Sequence, residues 1–199
     1  MDRLKPATQF KVRCKPMPDS PQFELVSKLD AAKRQLRLAI RMFFEGRDTI
    51  SIHTLATAAH QILFDLMKAH KPSALNSIVI NPESPLIREE KRAFWAKRIR
   101  SAQNFFKHAD RDPNIVHKFY HEVTRFYIFE ATMIFRQLST EPVIEVIVFQ
   151  TWFFLKYPDL LTDEKLNAAL SQKNITFDPN DFSLFLEVLN HPCARIGCT

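Results

Sequence analysis

The stretch FELVSKLDAAKRQLRLAIRMFFEGRD, residues 23–48, decides the fold class, because it holds one complete helix pattern and the signals that end it. Its apolar residues recur every three or four positions, which is typical of an amphipathic helix. They are Leu25, Leu29, Ala32, Leu36, Ala39, Ile40 and Phe43. Gly46 ends the predicted helix at about Glu45, and Asp48 is suited to cap a second helix. We therefore predict an antiparallel helical hairpin with a connection of only a few residues.

Further helices follow along the chain, separated by prolines and capping residues. Their predicted ranges are 49–69, 87–108, 113–138, 141–157, 162–172 and 178–189. Only 2 glycines occur among 199 residues, whereas β-rich folds need many glycines for turns and bulges. We predict an all-α protein, with a single helical bundle domain of about six or seven helices at 23–190. An irregular N-terminal arm, 1–22, precedes the bundle, and a C-terminal tail, 191–199, follows it.

Charge, cysteines and hydropathy restrict the class of protein. The net charge of +6 favours acidic partners such as nucleic acid. The three cysteines show no metal-ligand spacing, so we expect reduced thiols and no cofactor. The N-terminus lacks the apolar segment of a secretory signal, which predicts a cytoplasmic protein. The longest apolar stretch, 143–155, contains Glu145 and Gln150 and is shorter than the roughly 20 residues of a membrane span, so we expect a buried helix and no membrane contact.

The fourth and fifth predicted helices, 113–138 and 141–157, are apolar over much of their circumference. A small bundle does not easily bury that much apolar surface. We therefore predict a homodimer.

The stretch RSAQNFFKHADRDP, residues 100–113, concentrates the chemistry of the chain. Arg100, Asn104 and His108 are each four residues apart, so on a helix they form one polar stripe. His108 would serve as a general acid or base, Asn104 as a hydrogen-bond donor, and Arg100 as the cation that neutralises a phosphate. The stripe is about 12 Å long, so Arg100 needs its full reach, or a copy from a second subunit, to meet His108 over one phosphate.

Basic residues and aromatic rings alternate around this stripe, over residues 88–111, as they do in some RNA-binding surfaces. Gln103, Lys107 and Arg111 are the additional residues predicted to bind the ligand. The same aromatic residues fall at the spacing of a helix core, so a solvated basic helix face is the competing interpretation.

The motif QNFFKH, in which Asn104 and His108 occupy the polar and histidine positions, resembles the HEPN superfamily. These are helical-bundle proteins that include metal-independent ribonucleases of bacterial toxin and defence systems, and the resemblance implies a HEPN-like antiparallel core. It implies RNA or nucleotide binding and, where catalysis is retained, attack of a ribose 2′-hydroxyl on the adjacent phosphate. Gln103 stands where the family carries its Arg, and Arg100 lies one turn earlier. Together with HTLATAAHQILFDL, the segment NFFKHADRDP also resembles a group of uncharacterised bacterial proteins of similar length.

Two other interpretations of these residues stay open. The turn NFFKHADRDP is structural in the first, with Asn104 and His108 capping main-chain carbonyls in a non-catalytic interaction protein. In the second, His117 and His121 lie four apart on the fourth predicted helix and chelate a metal ion.

His53 and His60 are seven residues apart on the second predicted helix, too far for joint ligation of one ion. Both flank the apolar stripe of that helix. We therefore expect both to be packed, hydrogen-bonded histidines.

Overall fold

The protein is an all-α bundle, as the sequence predicts. A computed structural model describes residues 23–73, 89, 101–108, 110, 113–157 and 178–192, and these contain no strand. The helices are α1 (Lys28–Phe44), α2 (Thr49–His70), α3 (Glu122–Leu138), α4 (Ile144–Lys156) and α5 (Phe182–Asn190). Residues 101–105 are also helical. The start of the third predicted helix, all of the sixth, the arm at 1–22 and the tail residues 193–199 lie outside the described residues.

The turn between α1 and α2 confirms the role of Gly46. The Gly46 N–H donates to the Phe43 carbonyl oxygen at 3.2 Å, and the Arg47 N–H donates to the Met42 carbonyl oxygen at 2.9 Å. This pair of bonds is the Schellman motif, which requires a left-handed residue directly after the helix. Asp48 then caps α2 as predicted, because its carboxylate accepts the Ser51 N–H at 2.7 Å.

α1 begins later than the pattern of apolar residues indicates. Its N-cap is Ser27, whose hydroxyl oxygen accepts the Asp30 N–H at 3.0 Å. The capping hydroxyl satisfies a donor at the first turn, so the helix begins where this bond forms rather than at the first apolar residue. Phe23 and Leu25 consequently lie outside the helix and are exposed.

The α1–α2 hairpin packs against α3 through α2, and α4 and α5 pack against α1. All five helices contribute side chains to one hydrophobic core. The largest fully buried side chains are Trp152, Phe44, Phe135, Phe149, Leu36, Ile40, Leu63, Met67, Ile128, Ile134 and Leu189. Burial of side chains of this size supplies most of the free energy that stabilises such a bundle.

α4 is a buried helix, as predicted for the stretch 143–155, and its two buried polar residues are hydrogen-bonded. Glu145 accepts hydrogen bonds from Arg37 at 3.0 and 3.1 Å and from Arg41 at 2.8 Å. Gln150 accepts one from Arg136 and donates one to Thr132. Within the described residues, no helix is both long enough and apolar enough to cross a membrane.

The prediction that the fourth helix starts at Pro113 is wrong. α3 begins at Glu122, and residues 113–121, here called the linking segment, form no helix. A helix from Pro113 would place Val116 and Phe119 on one buried face. Instead, Val116 is 95% exposed, while the Phe119 ring lies 5.0 Å from the His53 ring. This contact with α2 outweighs the local helix pattern, because helix propensity is weak compared with tertiary contacts.

Candidate functional site

The predicted site lies where the helical residues 101–105 end. The Phe106 N–H donates to the Ala102 carbonyl oxygen, and the Lys107 and His108 N–H groups both donate to the Asn104 carbonyl oxygen, at 3.2 and 3.1 Å. Ala102 is buried, whereas the side chains of Asn104, Lys107 and His108 are exposed. The main chain therefore forms an ordered helix end that presents polar side chains to solvent.

A solvent-accessible pocket of about 520 Å³ lies beside this helix end. Its lining, among the described residues, is Ser101, Asn104, Phe105, His108, Asp110, Ile115 and His117. Asn104 and His108, two of the predicted catalytic residues, thus share one pocket. Neither side chain has a hydrogen-bond partner within the described part of the chain, so the interpretation that they cap main-chain carbonyls is not supported there. Their amide and imidazole groups are free to contact a ligand.

The other predicted site residues are placed less directly. Gln103 is half-buried and Lys107 is exposed, and neither lines the pocket. Arg100 and Arg111 lie outside the described residues. The helix end therefore brings together Asn104 and His108 of the predicted stripe. The role of Arg100 stays a prediction.

His117 lines the pocket although the helical stripe does not include it. The linking segment carries it there, and its ring stacks on the Phe105 ring with centroids 5.1 Å apart and planes at 27°. The sequence carries no local signal for this placement, because Val116 and Phe119, the apolar residues of VHKFYH, are three positions apart, which is the spacing of a helix. The half-buried residues of that stretch are His117 and Phe119.

The metal interpretation of His117 and His121 loses its geometric basis. Both residues precede the first residue of α3, so they do not share a helix face. The His121 ring lies beside Phe119, with centroids 5.2 Å apart. Among the described residues, no three His, Cys, Asp or Glu side chains are arranged to hold a metal ion.

His53 lies in the interior behind the pocket walls. Its side chain is fully buried, and its Nδ1 lies 3.0 Å from the Thr124 hydroxyl oxygen. The Phe106, Phe119 and Tyr127 rings surround it at centroid distances of 5.8, 5.0 and 5.4 Å. The Nε2 atom has no hydrogen-bond partner in the described part of the protein.

The pKa of His53 follows from this environment. Burial, together with the positive charge of Lys107 and His117, lowers the pKa of His53 to about 4. The ring is therefore neutral at physiological pH.

His60, two turns further along α2, is also buried, and its Nε2 lies 2.9 Å from a carboxylate oxygen of Glu130. The prediction that His53 and His60 are packed, hydrogen-bonded histidines is confirmed.

Comparison of the chain with protein-family models, with curated proteins and with solved structures finds no match.

Proposed function

We propose that this is a HEPN-like protein that binds RNA or a nucleotide at the pocket beside Asn104 and His108. One observation carries the proposal: an exposed amide and an exposed imidazole, both without a hydrogen-bond partner in the described residues, line the same pocket at an ordered helix end. Amide and imidazole N–H groups are donors that suit phosphate oxygens. The proposed setting is a cytoplasmic homodimer of a bacterial defence or toxin system.

The catalytic form of this proposal is a metal-independent endoribonuclease. The ribose 2′-hydroxyl attacks the adjacent phosphorus, and His108 transfers a proton during this step. Asn104 donates a hydrogen bond to a phosphate oxygen, where negative charge develops in the transition state. Arg100 is the proposed cation that stabilises the same charge.

An RNA-cleavage assay in EDTA, run together with a binding assay, tests the proposal. We expect the wild-type protein to bind and cut single-stranded RNA, and the His108→Ala variant to lose cleavage. His70→Ala is the matched control, because His70 is an exposed histidine at the end of α2 and does not line the pocket. A wild-type protein that neither binds nor cuts RNA would contradict the proposal.

The second candidate is a non-catalytic helical interaction protein in which the turn is structural. It is favoured by the Asn104 carbonyl oxygen, which accepts two main-chain hydrogen bonds and so orders the turn. In that case His108→Ala leaves RNA affinity unchanged, and it changes the melting temperature little because the main-chain bonds remain. The binding assay separates the two candidates.

A further inference from the structure

We propose that His117 is a second imidazole that contacts the phosphate group bound in this pocket, together with His108. The inference rests on the proposed function and adds a residue that the helical stripe does not contain. Its basis is that two histidines from different parts of the chain, one after the helical residues 101–105 and one from the linking segment, line a single pocket.

The ring of His117 is held in place before any ligand arrives. It is half-buried and stacks on the Phe105 ring, with centroids 5.1 Å apart. The Phe106 ring lies edge-on to it, with centroids 6.4 Å apart. Phe119 fixes the linking segment in turn. The centroid of its ring lies 5.1 Å from that of the Phe106 ring and 5.0 Å from that of the His53 ring. A side chain that is already ordered loses little conformational entropy on binding, which favours it as a ligand contact.

The polar atoms of His117 are also available. No hydrogen bond within the described residues uses its ring nitrogens. A neutral imidazole offers one N–H donor and a protonated one offers two, and a phosphate oxygen is the matching acceptor. Stacking on Phe105 orients the ring without consuming these nitrogens.

The titratable groups of the described pocket lining are two histidines and one aspartate. They are His117, His108 and Asp110, and Lys107 adjoins His108. His53, behind the Phe106 ring, stays neutral at physiological pH because its pKa is about 4. Asp110 is the only acidic group among the described lining residues, and the two imidazoles supply N–H donors for a phosphate oxygen.

Two histidines also provide for both proton transfers of the proposed cleavage. The bond between the 2′-oxygen and phosphorus forms while the bond between phosphorus and the 5′-oxygen breaks. One imidazole accepts the proton of the 2′-hydroxyl, and the other gives a proton to the departing 5′-oxygen. The products are a 2′,3′-cyclic phosphate and a free 5′-hydroxyl, so atoms and charge balance without a metal or another reactant.

Fluorescence anisotropy with a labelled oligoribonucleotide carrying 2′-O-methyl riboses measures the contact without cleavage, because the attacking hydroxyl is blocked. We expect His117→Ala and His108→Ala each to weaken binding about tenfold, since a charge-assisted hydrogen bond is lost. His121→Ala is the control, because His121 is an exposed histidine of the same segment outside the pocket lining, and we expect less than a twofold change.

A conservative variant and an NMR titration show whether His117 contacts the phosphate or only stabilises the pocket. His117→Gln keeps an N–H donor, so it should recover part of the affinity if His117 touches the phosphate, whereas a merely structural role for the ring would give no recovery. Titration of the wild-type protein with inorganic phosphate should shift the ring resonances of both His108 and His117. Circular dichroism melting curves verify that each variant is folded.

The outcomes are distinguishable. If the wild-type protein binds the oligonucleotide and His108→Ala weakens it while a folded His117→Ala does not, the inference about His117 is wrong and the proposed function stands. If the wild-type protein binds no oligonucleotide, the proposed function is wrong and the inference falls with it.

Discussion

Gly46 adopts a backbone conformation that residues with a side chain rarely adopt, with φ at +63°. A Cβ atom added there would meet no atom of the described structure within 4 Å. The cost of a substitution is therefore set by the backbone alone and not by a steric clash.

Replacement of Gly46 should follow the tolerance of each residue for the left-handed region. We expect Gly46→Ala to lower the free energy of unfolding by about 1 kcal/mol, and Gly46→Asn to lower it less, because asparagine adopts this conformation more readily. Urea denaturation measures both. Equal losses for the two variants would contradict the backbone explanation.

His53 links the stability of the protein to pH. Its pKa is about 4 in the folded protein, below the ordinary value of 6.5 that it regains on unfolding. Below pH 6.5 the unfolded chain takes up a proton that the folded chain does not. The stabilising effect of a neutral His53 is therefore complete above pH 6.5 and is lost as the pH falls towards 4.

A His53→Phe variant should remove this dependence. Between pH 7 and pH 4, we expect the wild-type protein to lose about 3 kcal/mol more of its free energy of unfolding than the variant loses, from the change of pKa to about 4. Chemical denaturation at a series of pH values measures the difference. His70→Phe, at an exposed position, should keep the wild-type slope, and an unchanged slope in His53→Phe would refute the assignment to His53.

Some site residues can be predicted from nearby sequence, and others cannot. Asn104 and His108 were predicted to lie together from helical spacing alone, and the helix end places both in one pocket. His117 was not predicted to join them, because its position depends on Phe119 packing against His53, which is 66 residues earlier in the chain. Spacing within one helix does not encode such a contact.

Glu145 connects three helices through its two arginine partners. Its side chain is almost fully buried, and Arg41 also donates to the Leu189 carbonyl oxygen and to Asn190 at the end of α5. Burial acts to raise the pKa of Glu145, but hydrogen bonds from Arg37, from the main chain and from Arg41 outweigh it, and the pKa lies below its ordinary value. The carboxylate is therefore charged at physiological pH.

Loss of this charge should destabilise the bundle. We expect Glu145→Gln to lower the free energy of unfolding at pH 7 by about 2 kcal/mol, less than for a fully buried pair because both arginines reach solvent. The difference from the wild-type protein should shrink as the pH falls below the ordinary carboxyl pKa and through the lowered one, since the wild-type carboxylate then becomes protonated too.

Glu141→Gln is the matched control for thermal or urea unfolding. Glu141 is exposed and pairs with Lys33 at 3.0 Å. An exposed ion pair contributes little, so we expect a loss of less than about 0.5 kcal/mol. A loss for Glu145→Gln no larger than that of the control would show that the buried cluster adds nothing to stability.

The turn between α1 and α2 was predicted well because a local signal marks each of the two helix ends. Gly46 and Asp48 fixed the turn between α1 and α2, and both act through hydrogen bonds to residues within a few positions. The start of α3 was misplaced because Asp112 and Pro113 form a valid capping pattern in the sequence, whereas the linking segment is held by Phe119 against α2. The competing interaction is again distant in sequence.

The proposed homodimer needs an apolar surface, and α3 offers one. Phe126 and Met133 are seven residues apart on α3, so they share a face, and both are exposed. Light scattering should give a mass of twice the 23.3 kDa chain for the wild-type protein. We expect Met133→Lys to shift this mass towards that of one chain, because a charge is costly to bury in an apolar interface.

Leu38→Lys is the control for that experiment, since Leu38 is an apolar residue on α1 that is at least as exposed as Met133. This variant should keep the mass of the wild-type protein. A wild-type mass equal to one chain would contradict the dimer.

The ring of His53 contacts three parts of the chain close to the pocket. It belongs to α2 and contacts Phe106 beside the helical residues, Phe119 in the linking segment and Tyr127 in α3. Phe106 and the linking segment also adjoin the lining residues Phe105 and His117, so we expect that moving these two segments apart would expose the His53 ring to water. In terms of hydrogen exchange, the hydrogen-bonded amides of Phe106 and His108 should exchange as slowly as those of α2, as one cooperative unit and not as a surface loop.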